Sequence, residues 1–145
     1  YTSQPDIYLH PDDVELYTQL REQGRLFGFD YNDPLPVDQE FGDQQELRVG
    51  EMKFSLIHTP GHSPGSVCLR LSEDSLLGIE EALFSGDTLF QGSIGRTDLW
   101  GGNLDQLLKN IKQRLFSLDD DISVVPGHGP KTQVGIEKRS NPFLK

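Results

Sequence analysis

Thr59-Pro60-Gly61-His62-Ser63-Pro64-Gly65-Ser66 is a stretch that resists becoming either helix or strand. Pro60 and Pro64 fix φ and remove backbone donors, while Gly61 and Gly65 permit turns that other residues resist. A loop so constrained is suited to hold His62 in one place. Two later tips share the construction: Ser85-Gly86-Asp87-Thr88 and Pro126-Gly127-His128-Gly129-Pro130. Each follows an apolar run and presents a metal-type ligand at its end, so the three are expected to converge on a metal. Neutral imidazole and carboxylate suit Zn²⁺, Fe²⁺ or Mn²⁺. The separations of 25 and 41 residues mean that the fold must assemble such a site, unlike a local finger or a metal-binding helix.

Working outward, Ile7-Tyr8-Leu9-His10 reads as a short strand. His10-Pro11-Asp12-Asp13 then reads as a helix start, with Pro11 first and acids in the opening turn. Val14, Leu16, Tyr17 and Leu20 follow amphipathic helix spacing, and Gly24 is expected to end that helix. Residues 27–45 read mostly as loop, with turns at Asn32-Asp33-Pro34 and Gly42-Asp43. A hairpin is expected over 46–58, turning at Gly50-Glu51, and another strand over 66–71. Residues 73–81 form a polar excursion before a short strand, 82–85, that reads as buried.

Glycine-rich residues 86–102 read as a long functional loop. Asn103 is placed to cap a helix whose apolar face runs through Leu104, Leu107, Leu108, Ile111, Leu115 and Phe116. Ile122–Val125 is expected to be the last strand. Thr132 is a candidate cap for a final helix that Asn141-Pro142 stops. Alternating strands and helices predict one layered domain over 1–145, of α/β or α+β class.

Composition narrows the function. The 145 residues suit one domain with a real core. Thirteen basic against 23 acidic residues give a net charge of −10, which disfavours nucleic acid and anionic lipid as partners. No run approaches the ~20 apolar residues of a membrane span. The polar start, Tyr1-Thr2-Ser3-Gln4-Pro5-Asp6, does not resemble a signal peptide. A single cysteine suits a reducing compartment, so a cytoplasmic setting is expected.

The three tips, extended to Phe84-Ser85-Gly86-Asp87-Thr88-Leu89-Phe90 and Val125-Pro126-Gly127-His128-Gly129-Pro130, resemble in order and spacing three signature motifs of the metallo-β-lactamase superfamily. The nearest likeness is to glyoxalase II-like (hydroxyacylglutathione hydrolase-like) enzymes of the compact single-domain kind. Gly92-Ser93-Ile94-Gly95-Arg96-Thr97-Asp98 and the ending Glu137-Lys138-Arg139-Ser140-Asn141-Pro142-Phe143 are similar to that subgroup. The resemblance implies an αββα sandwich with a one- or two-metal centre at the sheet edge. On it, His62 would bind the first metal, His128 the second, and Asp87 would bridge them as the catalytic carboxylate. Zn²⁺ is the implied ion, with Fe²⁺ or Mn²⁺ as alternatives. In such a site the metals acidify and orient a water and polarise the substrate carbonyl.

The family's first motif, His-x-His-x-Asp-His, supplies four more ligands and is not among these residues, whose histidines stand at 10, 58, 62 and 128. The resemblance therefore implies the C-terminal part of a family member, with the N-terminal part of the fold missing and weak or no activity alone. The implied activity is hydrolysis of a thioester or related acyl bond. One alternative is a non-catalytic half-domain that pairs with a second copy or an N-terminal segment. Another keeps the fold for iron-dependent persulfide oxidation or phosphodiester cleavage.

Other residues read more plainly. Pro60-Gly61 rules out a helix joining His58 to His62, so His58 reads as structural. His10 reads as a cap or strand-end residue and Cys68 as core. Arg96 and Asp98 are expected to pair, behind the ligands or against substrate. Phe90 and Trp100 are candidate cleft walls, and Asp119-Asp120-Asp121 a solvated turn.

Overall fold

The computed structural model describes residues 5–42, 45–74 and 76–145, in two compact units, Tyr1–Gly42 and Asp43–Lys145. The turn expected at Gly42-Asp43 involves Asp43, and the polar start involves residues 1–4; both lie outside the described residues.

In the first unit, β1 (Tyr8–Leu9) pairs in parallel with β2 (Gln39–Glu40). A 3₁₀ turn, Pro11–Asp13, follows, and His10 caps it: its Nδ1 accepts from the Asp12 N–H at 3.2 Å. Helix α1 (Val14–Thr18) and helix α2 (Leu20–Leu26) are separated at Gln19. Gly24 lies inside α2, correcting the expected end. The stop comes at Gly28, whose φ of +81° only glycine adopts cheaply. There the N–H of Phe29 reaches the Gly24 carbonyl at 2.9 Å and that of Gly28 reaches Arg25 at 3.0 Å, a Schellman ending. Gly24 is needed for another reason: the Tyr31 ring fills the space that a side chain would take.

The second unit is built on a six-stranded sheet in the order β10-β9-β6-β5-β4-β3. Strands β3 (Glu46–Val49) and β4 (Met52–His58) form the expected hairpin, with Gly50 at φ +60° in the turn. Strand β5 (Val67–Leu71) is antiparallel to β4 and to β6 (Ala82–Gly86). Two short strands, β7 (Leu89–Phe90) and β8 (Ser93–Ile94), form a hairpin within what reads in sequence as loop. Strand β9 (Ser123–Pro126) runs parallel to β6. It is not the last strand: β10 (Thr132–Gln133) turns back antiparallel to it. The α/β class holds.

Helix α3 (Leu104–Asn110) begins as its sequence dictates, with Asn103 Oδ1 accepting from the Gln106 N–H at 3.0 Å. It continues into a π-helical turn, Ile111–Leu115. Leu107, Ile111 and Leu115 are buried against Cys68, Leu83 and Val124 on one face of the sheet. Leu104 is exposed instead: it shares that stripe but sits at the first helical position, one turn before the buried residues begin. Strand β6 is buried on one face only: Leu83 and Ser85 point into the core, while Phe84 is 38% exposed on the other face. Helix α4 (Val134–Ser140) is not capped by Thr132, which lies in β10; Gln133 holds the cap position. The Asp119-Asp120-Asp121 turn is more than solvated. Asp120 pairs with Lys138 at 3.4 Å and Arg139 at 3.0 Å, and its carbonyl accepts from the Gly135 N–H at 2.9 Å. Among the described residues no helix is long and apolar enough to cross a membrane.

Cys68 is fully buried in this core, and burial raises its thiol pKa from 9.0 to about 11. The neutral thiol is favoured by the fold, so its contribution to stability is complete below pH 9 and is lost as the pH rises to about 11. Two results are expected. Alkylation of the native protein at pH 8 should proceed only as fast as unfolding exposes the thiol. The urea midpoint should fall between pH 9 and pH 11 more steeply than that of Cys68→Ala.

Candidate metal centre

The sheet determines where the three tips go. Strands β4 and β6 point the same way because β5 runs antiparallel between them, and β9 is parallel to β6. The loops after β4, β6 and β9 therefore leave from one end of the sheet. They carry His62, Asp87 and His128.

The His62 loop is held from several sides. The Thr59 N–H donates to the Ser66 carbonyl at 2.8 Å, closing its neck. Helix α3 holds its crown: the Asn103 N–H reaches the Gly61 carbonyl at 2.7 Å, and Asn110 Nδ2 reaches the Pro60 carbonyl at 2.9 Å. Gly61, at φ +146°, lies so close to this helix that a Cβ would sit 2.5 Å from Leu107 Cα. His58 is a strut, with Nε2 donating to the Pro64 carbonyl at 2.9 Å. His62 is set differently. Its Nδ1 donates to the Arg96 carbonyl at 2.8 Å, since a carbonyl can only accept. That tautomer leaves the Nε2 lone pair available, and Nε2 lies 3.8 Å from Asp87 Oδ2.

Asp87 follows a register shift between Phe84 and Gly86, where Gly86 takes φ +50°. The neighbouring strand end is tied to it by the Gly127 N–H donating to the Gly86 carbonyl at 2.8 Å. A Cβ on Gly127 would collide with Asp87 Oδ1, so a glycine there leaves room for the carboxylate. On that side His128 Nδ1 donates to Asp87 Oδ1 at 2.9 Å. Each oxygen of Asp87 thus faces a different histidine. His62 and Asp87 are about 30% exposed and His128 is 76% exposed, so the group opens to solvent.

Of these donors, His62 and Asp87 are spaced to contact one divalent cation. Two metal–ligand bonds of ~2.0–2.2 Å span more than the distance between Nε2 of His62 and Oδ2 of Asp87, so one ion can contact both. Asp87 offers its second oxygen on the side of His128, the arrangement that a bridging carboxylate needs.

Arg96 and Asp98 pair through two hydrogen bonds of 2.8 Å each. Those bonds from Arg96, aided by the backbone of Asp98, hold the Asp98 carboxyl down at about 2. Arg96 meets the site through its backbone carbonyl. Phe90 presents an edge contact to the His128 ring, with centroids 6.1 Å apart, and Trp100 is 45% exposed. Cys68 is buried in the core. Sequence reasoning missed the hydroxyl pair that joins two tips: Thr59 Oγ1 and Thr88 Oγ1, both buried, lie 3.2 Å apart. It also missed Gly95, where a Cβ would strike the Asp87 carbonyl. Neither has a local signal, because each depends on a neighbour distant in sequence.

Residues 1–128 match the sequence profile of the metallo-beta-lactamase superfamily. The chain belongs to that superfamily. Several of its relatives carry hydrolase names. Hydroxyacylglutathione hydrolase GloC of Haemophilus influenzae is 40% identical over 133 residues, covering 91% of this chain and 60% of that protein. The probable metallo-hydrolase YqgX of Bacillus subtilis is 39% identical over 140 residues, covering 95% and 63%. Among solved structures, the B3 metallo-beta-lactamase BLEG-1 superposes with a TM-score of 0.81 at 40% identity, covering 96% of this chain and 65% of that one. TTHA1623, in a di-iron-bound form, gives 0.78 at 41% identity with the same coverage. The chain thus spans 60–65% of the length of these superfamily members.

Gly127→Ala is expected to displace the Asp87 carboxylate and weaken zinc binding by about tenfold. Gly50→Ala, in the β3–β4 turn away from the site, should leave zinc binding unchanged. Competition against a chromophoric chelator measures both.

Proposed function

We propose that this chain carries part of the metal centre of a glyoxalase II-like hydrolase acting on a thioester or related acyl bond. The observation that carries the reading is Asp87, whose two oxygens face His62 on one side and His128 on the other. GloC, named a hydroxyacylglutathione hydrolase, supports the thioester class. Zinc bound by these residues would supply an acidified water and Lewis acidity toward a carbonyl. The di-iron form of TTHA1623 supports iron as an alternative, and manganese suits the same donors. His62, Asp87 and His128 are the proposed ligands. The bond to the Arg96 carbonyl keeps Nε2 of His62 a lone-pair donor, and the Arg96–Asp98 pair braces the segment from which that carbonyl projects.

The exposed position of His128 leaves one side of the group open to a substrate. A small molecule suits that opening better than a nucleic acid, which the charge of −10 disfavours.

A second reading concerns assembly. Phe84 is 38% exposed on the sheet face opposite the core and packs edge-on against Phe54 at 6.0 Å. That apolar face supports pairing with a second copy or with an N-terminal segment carrying the remaining ligands. On this reading the chain alone is weak or inactive.

The function is tested on the longest available form, supplied with zinc, iron or manganese, against S-lactoylglutathione and simpler thioesters. Turnover is expected with at least one metal; none with any metal refutes the thioesterase reading. Asp87→Asn is expected to cost at least about tenfold more zinc affinity than His58→Ala. Equal losses would reassign His58. Light scattering on this chain tests the assembly reading, and a monomer with a cooperative melt counts against it.

A further inference from the structure

Glu137 lies outside the metal centre, yet its side chain is 1% exposed and both oxygens are engaged. Oε1 accepts from Thr132 Oγ1 at 2.7 Å. Oε2 accepts from the Gly92 N–H at 2.9 Å and from Asn141 Nδ2 at 2.8 Å. The same Asn141 amide donates to the Ser93 carbonyl at 3.0 Å. Helix α4 and its C-cap therefore grip both a donor and an acceptor at the tip of the β7–β8 hairpin.

That hairpin is the spacer between two parts of the site. Asp87 lies two residues before β7, and Arg96 lies two residues after β8. Its open end is closed by the Gly95 N–H donating to the Thr88 carbonyl at 3.2 Å, where the close approach to Asp87 excludes any side chain. The Arg96 carbonyl then accepts from Nδ1 of His62.

We propose that Glu137, with Asn141, is a positioning residue of the metal centre: it fixes the hairpin that keeps Asp87 and the Arg96 carbonyl in register, and so sets the tautomer of His62. Helix α4 already packs through Val134, which belongs to the core cluster. A buried carboxyl adds nothing to that packing and is costly unless satisfied. Two of its three donors come from the hairpin tip and from the asparagine that also holds that tip. The inference rests on the reading of His62, Asp87 and His128 as a metal centre.

The test uses Glu137→Ala, Glu137→Gln and Asn141→Ala in this chain, with Ile111→Val as a core control that touches no part of the clamp. Two quantities are read: the His62 tautomer in metal-free protein, by long-range ¹H–¹⁵N correlation, and the zinc Kd. The parent is expected to show Nδ1 protonated. Glu137→Ala should mix the tautomers and raise the zinc Kd about tenfold to a hundredfold. Glu137→Gln, which still accepts from Gly92, should fall between the two. Ile111→Val should match the parent. If Glu137→Ala does not fold, Asn141→Ala reads the same grip on Ser93. A folded alanine variant with the parental tautomer and zinc Kd overturns the proposal, as does an equal loss in Ile111→Val. If the parent binds no zinc, the metal-centre reading fails, and the tautomer comparison alone decides the role of Glu137.

Discussion

Parallel hydrogen bonding between β6 and β9 is the constraint on which the site depends. It places the ends of two adjacent strands, and hence Asp87 and His128, side by side. Neighbouring strands lie ~4.8 Å apart, whereas the two side chains meet at 2.9 Å. The difference is made up by backbone detail at the strand ends. The register shift and positive φ at Gly86 re-aim the chain, and Gly127 leaves the space that the carboxylate enters. A reversed β9 would carry His128 to the far end of the sheet with no change in its burial pattern.

The same elements provide stability and geometry. Leu107 is fully buried in the core, and the backbone around it is the surface on which Gly61 rests. Asn103 both caps α3 and holds the Gly61 carbonyl; Asn110, near the other end, holds that of Pro60. The loop carbonyls need partners, and the helix supplies them without a dedicated structure. Damage to α3 would therefore be felt at His62 before any ligand changed. The buried Thr59–Thr88 contact couples the tips in the same way: the first residue of the His62 loop touches the residue after Asp87.

Local signals made much of this legible. The hairpin over 46–58 follows from alternation and a glycine turn, and the start of α3 from an asparagine cap. The three tips could be found because each carries a glycine beside its ligand, with prolines framing the two histidines. What could not be read depends on distant neighbours. Gly24 looks like a helix end until Tyr31 is seen against it, and the true stop lies one turn on at Gly28. Thr132 looks like a cap until its hydroxyl is seen to reach Glu137. Glu137 looks like an ordinary helix carboxylate because its partner Gly92 is 45 residues away. Strand direction has no signature in a period of two, so alternation alone does not say which strand ends lie together. The shared frames of the three tips suggest that they converge; the order and direction of β4, β6 and β9 make them do so.

His58 and His62 show how finely position governs chemistry. His58 precedes and His62 lies within the same proline- and glycine-rich stretch, and both donate a ring N–H to a backbone carbonyl. His58 uses Nε2, the nitrogen at the tip of the ring, on the Pro64 carbonyl, so its outermost lone-pair site is spent inside the loop. His62 uses Nδ1, the nitrogen nearest its own backbone, on Arg96, and keeps Nε2 toward Asp87. The difference lies in the chain that each ring meets. Pro64 lies within the loop, so this bond stiffens the loop itself. Arg96 arrives from the far side of the β7–β8 hairpin, so the bond that orients His62 reports on the placement of a segment 34 residues away. A histidine held by its own loop is a strut; one held by a separate segment can be aimed.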